Sequence, residues 1–338
     1  MSASTASSVI KSSGENEQKY KENQGLLIKK PGMLSLLQDS GRFGSFNIGL
    51  TNGGPVDLSS FHWANRLCSN ELNDCAIEIS VGGMVLSAQV DSLIAVTGAD
   101  MPLLINGKAK ALWRSHKVKA GDTIELGYAR SGMRCYLAVK GGFIIAPSFG
   151  SASTVCREHI GGLAGGKLLA GDCLPCSEID LTDATVRQYQ LAEVDQPKLG
   201  QDVVLRTIPS YQQRHFSSHQ QRLFYSSEYL VSKNIDRMGY RLEGQKVSAD
   251  IDGILSEGIC HGAVQIPQDG QPIVLLNDRQ TIGGYPKIGS VIALDTAHLS
   301  QLGQGGKVRF EPISMEKAHN LYHLKLSLFT RTELILCD

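Results

Sequence analysis

The chain has 338 residues and a formal net charge of zero, with 33 Lys and Arg set against 33 Asp and Glu. At roughly 150 residues per domain this length predicts two domains, and 42% hydrophobic with 20% charged residues excludes an intrinsically disordered chain. Neutrality and a pI near 7.1 argue against a protein built to grip nucleic-acid backbone, and no apolar run approaches the ~18 residues of a membrane span.

The first 24 residues are polar and Ser-rich without an apolar stretch, so they predict a disordered arm rather than a secretory signal, and a cytoplasmic location. From Gly25 the chain reads as short strands cut by turn signals. A helix starts at Asp57, a good N-cap, and sets Leu58, Phe61, Ala64 and Leu67 on one face before Asn70. Strands follow at Leu93–Thr97, on both sides of the hairpin signal Asn106-Gly107, and around the turn Gly121-Asp122. Arg134 to Val139 is a further strand, closed by Gly141-Gly142. Beyond a polar, acidic joint near residues 176–201, strands read at Val203–Ile208, Ile273–Asn277 and Val308–Phe310. Helices are expected after Ser217, from Asp295 and from Ser314, and the polar tail ends in the apolar Leu334-Ile335-Leu336. Closely spaced strands with few helices predict a mostly β protein of barrels or sandwiches. An internal echo, Glu78 to Val85 against Glu257 to Val264, keeps the Glu and Gly spacing and predicts two related domains.

Several local motifs fail the chemistry they suggest. Gly161 to Lys167 has the G-x-x-x-x-G-K spacing of a phosphate loop, but Leu168 replaces the magnesium-binding Ser or Thr and no amphipathic helix follows. Eight scattered cysteines offer one close pair, Cys173 and Cys176, without the second ligand pair or strand–helix context of zinc or redox sites. His215 and His219, at helical spacing in a polar stretch, read as a solvated face, and His261 reads as a packed residue. No metal site is expected.

The strongest candidate is the segment from Gln265 to Lys287. Within Asp278, Arg279, Gln280, Thr281, Tyr285 and Lys287 it gathers two cations, a carboxylate and hydrogen-bonding neutrals, the donor set of an anion or amide site. Gly283 and Gly284 within it, and Gly53 and Gly54 earlier, permit close backbone approach to a ligand. Asp39 and Arg237 sit in two further charged, glycine-bearing clusters.

At these blocks the sequence resembles the family of allophanate hydrolase subunit 2, the biotin-dependent carboxyltransferase family, over roughly residues 25–318. The matching blocks include Gln38–Arg42, Gly49 to Asp57, Ala64 to Leu67, Ala95 to Asp100, Tyr136 to Gly142, Asp236 to Leu242, Leu255 to Gly258 and Gln265 to Lys287. The resemblance implies two related cyclophilin-like β-barrel domains with a few short helices, over 25–190 and 200–318, with a tail over 319–338. It implies a subunit of an ATP-dependent 5-oxoprolinase that opens the lactam of 5-oxoproline to glutamate, with PxpA-like and KipI-like (PxpB-like) partner subunits, and ATP with magnesium at the level of the complex. On that reading Arg279 and Lys287 neutralise phosphate or carboxylate charge, and Gln265, Gln280 and Tyr285 hold the amide edge. Asp278 or Asp39 acts as base or orients a cation, Gly53, Gly54, Gly283 and Gly284 admit the ligand, and Arg237 binds substrate. Two other readings stay open: a carboxyltransferase moving CO2 from carboxybiotin to urea or another amide, and a KipA-like regulatory module that binds a KipI-like kinase inhibitor. The chain departs from the family where Ser210-Tyr211-Gln212 stands in place of Gly-Pro-Gln.

Overall fold

A computed structural model describes residues 24–337. The polar arm expected over the first 24 residues lies outside the described residues except for Gln24. The first half is built from two sheets. One runs in the order Cys173–Pro175, Gly25–Pro31, Gly82–Ala88, Thr123–Tyr128, Leu103–Ile105, Lys108–Lys110. The other runs Leu34–Gln38, Ala76–Ser80, Ser131–Val139, Ser92–Asp100, Arg114–Val118, Gln188–Gln190, Ile335–Cys337. Gly82–Ala88 alternates so that Met84, Leu86 and Ala88 point inward, and these meet Ile77, Ile79, Ile94, Val96 and Leu137 of the other sheet in one core. Asn106 and Gly107 both take positive φ, at 52° and 72°, the geometry that lets a two-residue turn follow strand twist. The Gly121-Asp122 turn instead carries the chain from one sheet to the other.

Ser92–Asp100 and Ser131–Val139 are buried almost throughout because a helix covers the outer face of their sheet. That helix, α1 (Leu58–Leu67), starts where Asp57 accepts a 3.0 Å bond from the Ser60 amide. It lays Phe61, Ala64 and Leu67 against Ala95, Tyr136 and Ala138.

The second half is a closed barrel in the order Val203–Pro209, Lys287–Val291, Ala263–Gln265, Ile273–Leu275, Gly239–Gly244, Glu228–Ile235, Lys307–Pro312. Closure comes from a parallel pairing of the first and last of these strands, Val203 opposite Val308. Helix α2 (Ser218–Ser226) stacks Phe224 on Phe310 at 4.3 Å and plugs the barrel floor, and α3 (Ala293–Leu299) lies beside the first strand. Helix α4 (Met315–Arg331), capped by Ser314, then leaves the barrel, and the apolar tail Ile335–Cys337 pairs with Gln188–Gln190 of the first half. Among the described residues no helix is long and apolar enough to cross a membrane.

Candidate functional site in the junction between the halves

Four hydrophilic side chains weld the two halves together. Glu78, only 1% exposed, accepts from Tyr136 Oη at 2.7 Å, the Val56 amide at 3.0 Å and Arg237 Nη1 at 2.5 Å. Arg237 also grips Asp278 through Nε at 2.9 Å and Nη2 at 3.0 Å, and reaches the Gly54 carbonyl at 2.7 Å. Gln301 of the barrel side accepts from the amides of Met133 and Arg134, both at 2.9 Å, and donates to the Asp57 carboxylate at 2.8 Å. The N-cap of α1 is therefore also a bridge to the other half. Arg134 completes the set by donating to Tyr240 Oη at 2.8 Å and to the Ser300 carbonyl.

Burial pushes Glu78 up, but Arg237, Arg134, Tyr136 and the Val56 amide together hold it below the usual carboxylate range. Asp278 ends above that range, because burial outweighs its single cation, Arg237.

Directly beside this lattice lies a cavity of about 440 Å³. Its walls are Asn52, Gly53 and His62 from the first half and His261, Asn277 and Arg279 from the second, and α4 forms its roof. Gly53 and Gly54, with φ of 61° and 85°, turn the loop so tightly that a Cβ on Gly54 would sit 3.0 Å from the Ser40 carbonyl. Their carbonyls, with that of Pro55, face the Asn277 amide at 3.0, 3.4 and 3.1 Å. The close approach these glycines allow is thus to the chain's own second half.

Arg279 is 4% exposed, yet its charge meets the carbonyls of Ile259 at 3.1 Å and Leu276 at 3.2 Å and the face of Phe46 at 5.0 Å, with no ion pair among the described residues. Burial lowers its pKa to about 10, so it remains cationic at neutral pH. His62 and His261 are pushed down to about 4, both chiefly by burial and His261 also by the Arg279 charge. Arg206, which also borders the cavity, is paired with Asp295. Arg279 is therefore a buried cation without an ion pair, in a cavity whose lining also holds Lys325, Asp57, which is bonded to Gln301 and the Ser60 amide, and apolar walls that include Phe43, Val56 and Phe329.

A second polar group occupies the barrel near the two-stranded pairing of Glu257–Gly258 with Ile282–Gly283. Buried Lys287 pairs with Glu257, which also accepts from Tyr211 Oη and from Gln212 Nε2 at 2.7 Å. Gln212 in turn accepts from the Lys287 amide at 2.8 Å. These donors, led by Lys287, hold Glu257 below the usual carboxylate range. A Cβ on Gly283 would lie 2.9 Å from Gln265 Nε2, so this glycine leaves room for the Gln265 amide. The Ser210-Tyr211-Gln212 segment, where the chain departs from the resembled pattern, caps a short 3-10 turn and directs both the Tyr211 hydroxyl and the Gln212 amide at Glu257.

The residues singled out in the sequence thus fall into separate places. Arg279 and Gly53 line the cavity, while Lys287, Gln265 and Gly283 belong to the Glu257 group. The Gly284 carbonyl accepts from the Ile254 amide, and Tyr285 and Gln280 are exposed. Asp278 and Arg237, expected as a base and a substrate ligand, spend their hydrogen-bonding capacity on each other and on Glu78 and Gly54. Asp39, also expected as a base, accepts from Ser153 Oγ at 2.7 Å, the Ala152 amide at 2.7 Å and Ser151, and organises the loop beneath Gly53. Sequence pattern does not single out His261, Asn277 or Glu257 as site residues. The internal echo held the signal for Glu257, since its counterpart Glu78 also carries an ion pair, there with Arg237 of the other half.

This sandwich and barrel, joined across buried ions, form the fold of a carboxyltransferase-domain family. The family model "Carboxyltransferase domain, subdomain A and B" matches residues 48–312, and the chain belongs to that family. It is 37% identical over 287 residues to the 5-oxoprolinase C subunit of Haemophilus influenzae, covering 84% of this chain and 90% of that protein. The match to the 5-oxoprolinase C subunit of Escherichia coli is 37% over 297 residues, 87% of this chain and 93% of that protein. The structure of the K. lactis urea amidolyase shares the fold, with a TM-score of 0.84 at 24% identity over 93% of this chain and 20% of that one.

Proposed function

We propose that this chain is the C-type subunit of an ATP-dependent 5-oxoprolinase, acting with PxpA-like and KipI-like (PxpB-like) subunits to open the lactam of 5-oxo-L-proline to L-glutamate. Similarity along most of the length of two 5-oxoprolinase C subunits supports the assignment. The observation that carries it is Arg279, a buried cation facing a cavity without a carboxylate partner of its own. A buried charge left without an opposite charge is costly, so an anionic ligand is its natural complement. The carboxylate of 5-oxoproline supplies one, and 440 Å³ falls within the ~300–1,000 Å³ typical of small-molecule sites.

A lactam resists water because attack must break amide resonance. With the carboxylate held on Arg279, the amide edge meets Asn52 and neutral His261, donors that polarise a carbonyl without giving up a proton, while Asn277 holds the Gly53–Pro55 carbonyls. We assign exposed Gln280 and Tyr285 to the face that meets a partner subunit, with the Glu257–Lys287 group, Gln265, Gly283 and Gly284 supporting it from behind. Asp278, Arg237 and Asp39 hold the scaffold. Among the described residues no three His, Cys, Asp or Glu side chains converge on a metal position, and Lys167 is followed by Leu168. We place magnesium–ATP at the level of the complex.

The test is ATP-dependent glutamate release by the reconstituted complex. Arg279→Ala raises KM for 5-oxoproline at least tenfold and Arg279→Lys recovers part of it; unchanged kinetics overturn the assignment. The family's carboxyltransferase description supports a second reading, transfer of CO2 from carboxybiotin to urea or another amide. The chain has no Met-Lys-Met carrier motif, so that reading requires a biotinylated partner in a pull-down. Binding of a KipI-like partner with no lactamase in the full complex would instead favour the KipA-like regulatory module.

A further inference from the structure

The roof of the cavity is loosely integrated, with one buried residue in 17. α4 begins at Met315, beyond the family-matched residues 48–312, and places Tyr322, Lys325, Leu326 and Phe329 over the opening. It is fastened at its two ends. At the start, Ile313 and Ala318 pack with Ile292 of the barrel side. At the finish, Arg66 donates to the carbonyls of Phe329 and of Thr332, the latter at 2.6 Å, and Phe329 sits 4.5 Å from the Trp63 ring centroid. Between these anchors little holds it. Ala318 is its one buried residue, Tyr322, Leu324, Leu326 and Leu328 are 47–56% exposed, and the bonds from Thr330 to Leu326 and between His319 and His323 stay within the helix.

A segment with few buried contacts opens far below the global unfolding free energy. We propose that α4 forms an autoinhibitory strap: docked, it roofs and narrows the cavity between the halves, and release of the Arg66–Phe329 clasp lets it lift while the tail Ile335–Cys337 stays paired with Gln188–Gln190. The clasp lies over His62, whose ring is 5.9 Å from that of Phe329, so opening bares the His62 wall first. Ligand binding then selects the open state, and any partner that binds the released helix activates by the same shift. The consequence for turnover rests on the 5-oxoprolinase reading; the opening itself does not.

Hydrogen exchange and diethylpyrocarbonate acylation on the full chain test it without any turnover. That reagent attacks neutral imidazole, and His62 and His261 are neutral at pH 7, so their rates report access alone. Peptides of α4 should exchange at least tenfold faster than those of Ser131–Val139. Arg66→Ala should raise α4 exchange and His62 acylation together, by at least tenfold, because it removes two hydrogen bonds from a charged donor, each worth about tenfold or more. Exposed His219 on α2 is the internal reference. Phe329→Ala leaves that carbonyl in place but removes the ring contacts with Trp63, His62 and Arg66, and should act in the same direction if Arg66→Ala folds poorly. Equal His62 acylation in wild type and both variants, or α4 exchanging in step with Ser131–Val139, overturns the strap. Absence of lactamase from the reconstituted wild-type complex, with these rates as expected, would refute the 5-oxoprolinase reading and leave the strap standing.

Discussion

Replacing Arg237 by Met tests whether the junction between the halves is held by its buried ions. The change removes four bonds: two to Asp278 at 2.9 and 3.0 Å, one to Glu78 at 2.5 Å and one to the Gly54 carbonyl at 2.7 Å. The losses are unequal. Glu78 keeps Tyr136 and the Val56 amide, with Arg134 at 4.0 Å, and the Gly54 carbonyl keeps Asn277. Asp278, 5% exposed, loses its cation outright. Breaking a buried pair from one side costs about 3–5 kcal/mol, a large part of the ~5–15 kcal/mol that stabilises a typical protein. Met in place of Arg and Asn in place of Asp278 removes the stranded charge, so the double variant Arg237→Met/Asp278→Asn should recover about 2 kcal/mol of that loss. The sign with pH follows from Asp278. Its pKa is already raised in the folded protein and rises further without Arg237. A carboxyl whose folded pKa exceeds its unfolded value binds the proton more tightly when folded, so stability falls as pH rises through the gap. The penalty of Arg237→Met should therefore be smallest near pH 5 and full near pH 8. Urea unfolding reads it out twice, by tryptophan fluorescence, since Trp63 and Trp113 both lie in the first half, and by far-ultraviolet circular dichroism. The two transitions should coincide in the wild type and separate in Arg237→Met. A cost under about 1 kcal/mol, or no recovery in the double variant, would refute the reasoning.

Three further outcomes are expected. His62 and His261, held near pKa 4, bind protons more readily when unfolded. Stability should thus fall as pH drops from about 6.5 towards 4, by roughly 1–2 kcal/mol per histidine at pH 5, and His62→Asn or His261→Asn should flatten that slope in melting experiments. Gly161→Ala places a Cβ 2.0 Å from the Ser153 carbonyl at a φ of 75° and should cost roughly 2–4 kcal/mol in urea unfolding; a cost below 1 kcal/mol would show that the loop yields. Tyr211→Phe removes one donor from Glu257 and should raise its pKa, seen as an upward shift in the carboxyl resonance by NMR titration, while Lys287→Ala should raise it more because that cation is the leading cause of its depression.

Much of the fold is written locally. The cap at Asp57, the Asn106-Gly107 turn, the inward alternation of Met84, Leu86 and Ala88 and the helix start at Ser314 are properties of a few neighbouring residues, and short-range sterics and hydrogen bonding decide them. The charged, glycine-bearing segments were legible for the same reason, as unusual densities of donors and flexible backbone. Their roles were not. Whether Arg279 is a free cation and Arg237 a clasp depends on which carboxylate the other half brings within 3 Å, and Glu78 is 159 residues from Arg237 along the chain. The tail shows the same limit. Leu334-Ile335-Leu336 carries no local reason to cross back to Gln188–Gln190, and α4 covers the cavity because Arg66 and Trp63 wait on the opposite half. Local preference acts over one or two turns of chain, whereas a buried charge is satisfied only by whatever partner the packed halves deliver. The sequence by itself therefore determined the strands, the caps and the list of reactive residues; tertiary packing alone decided which of them face a ligand.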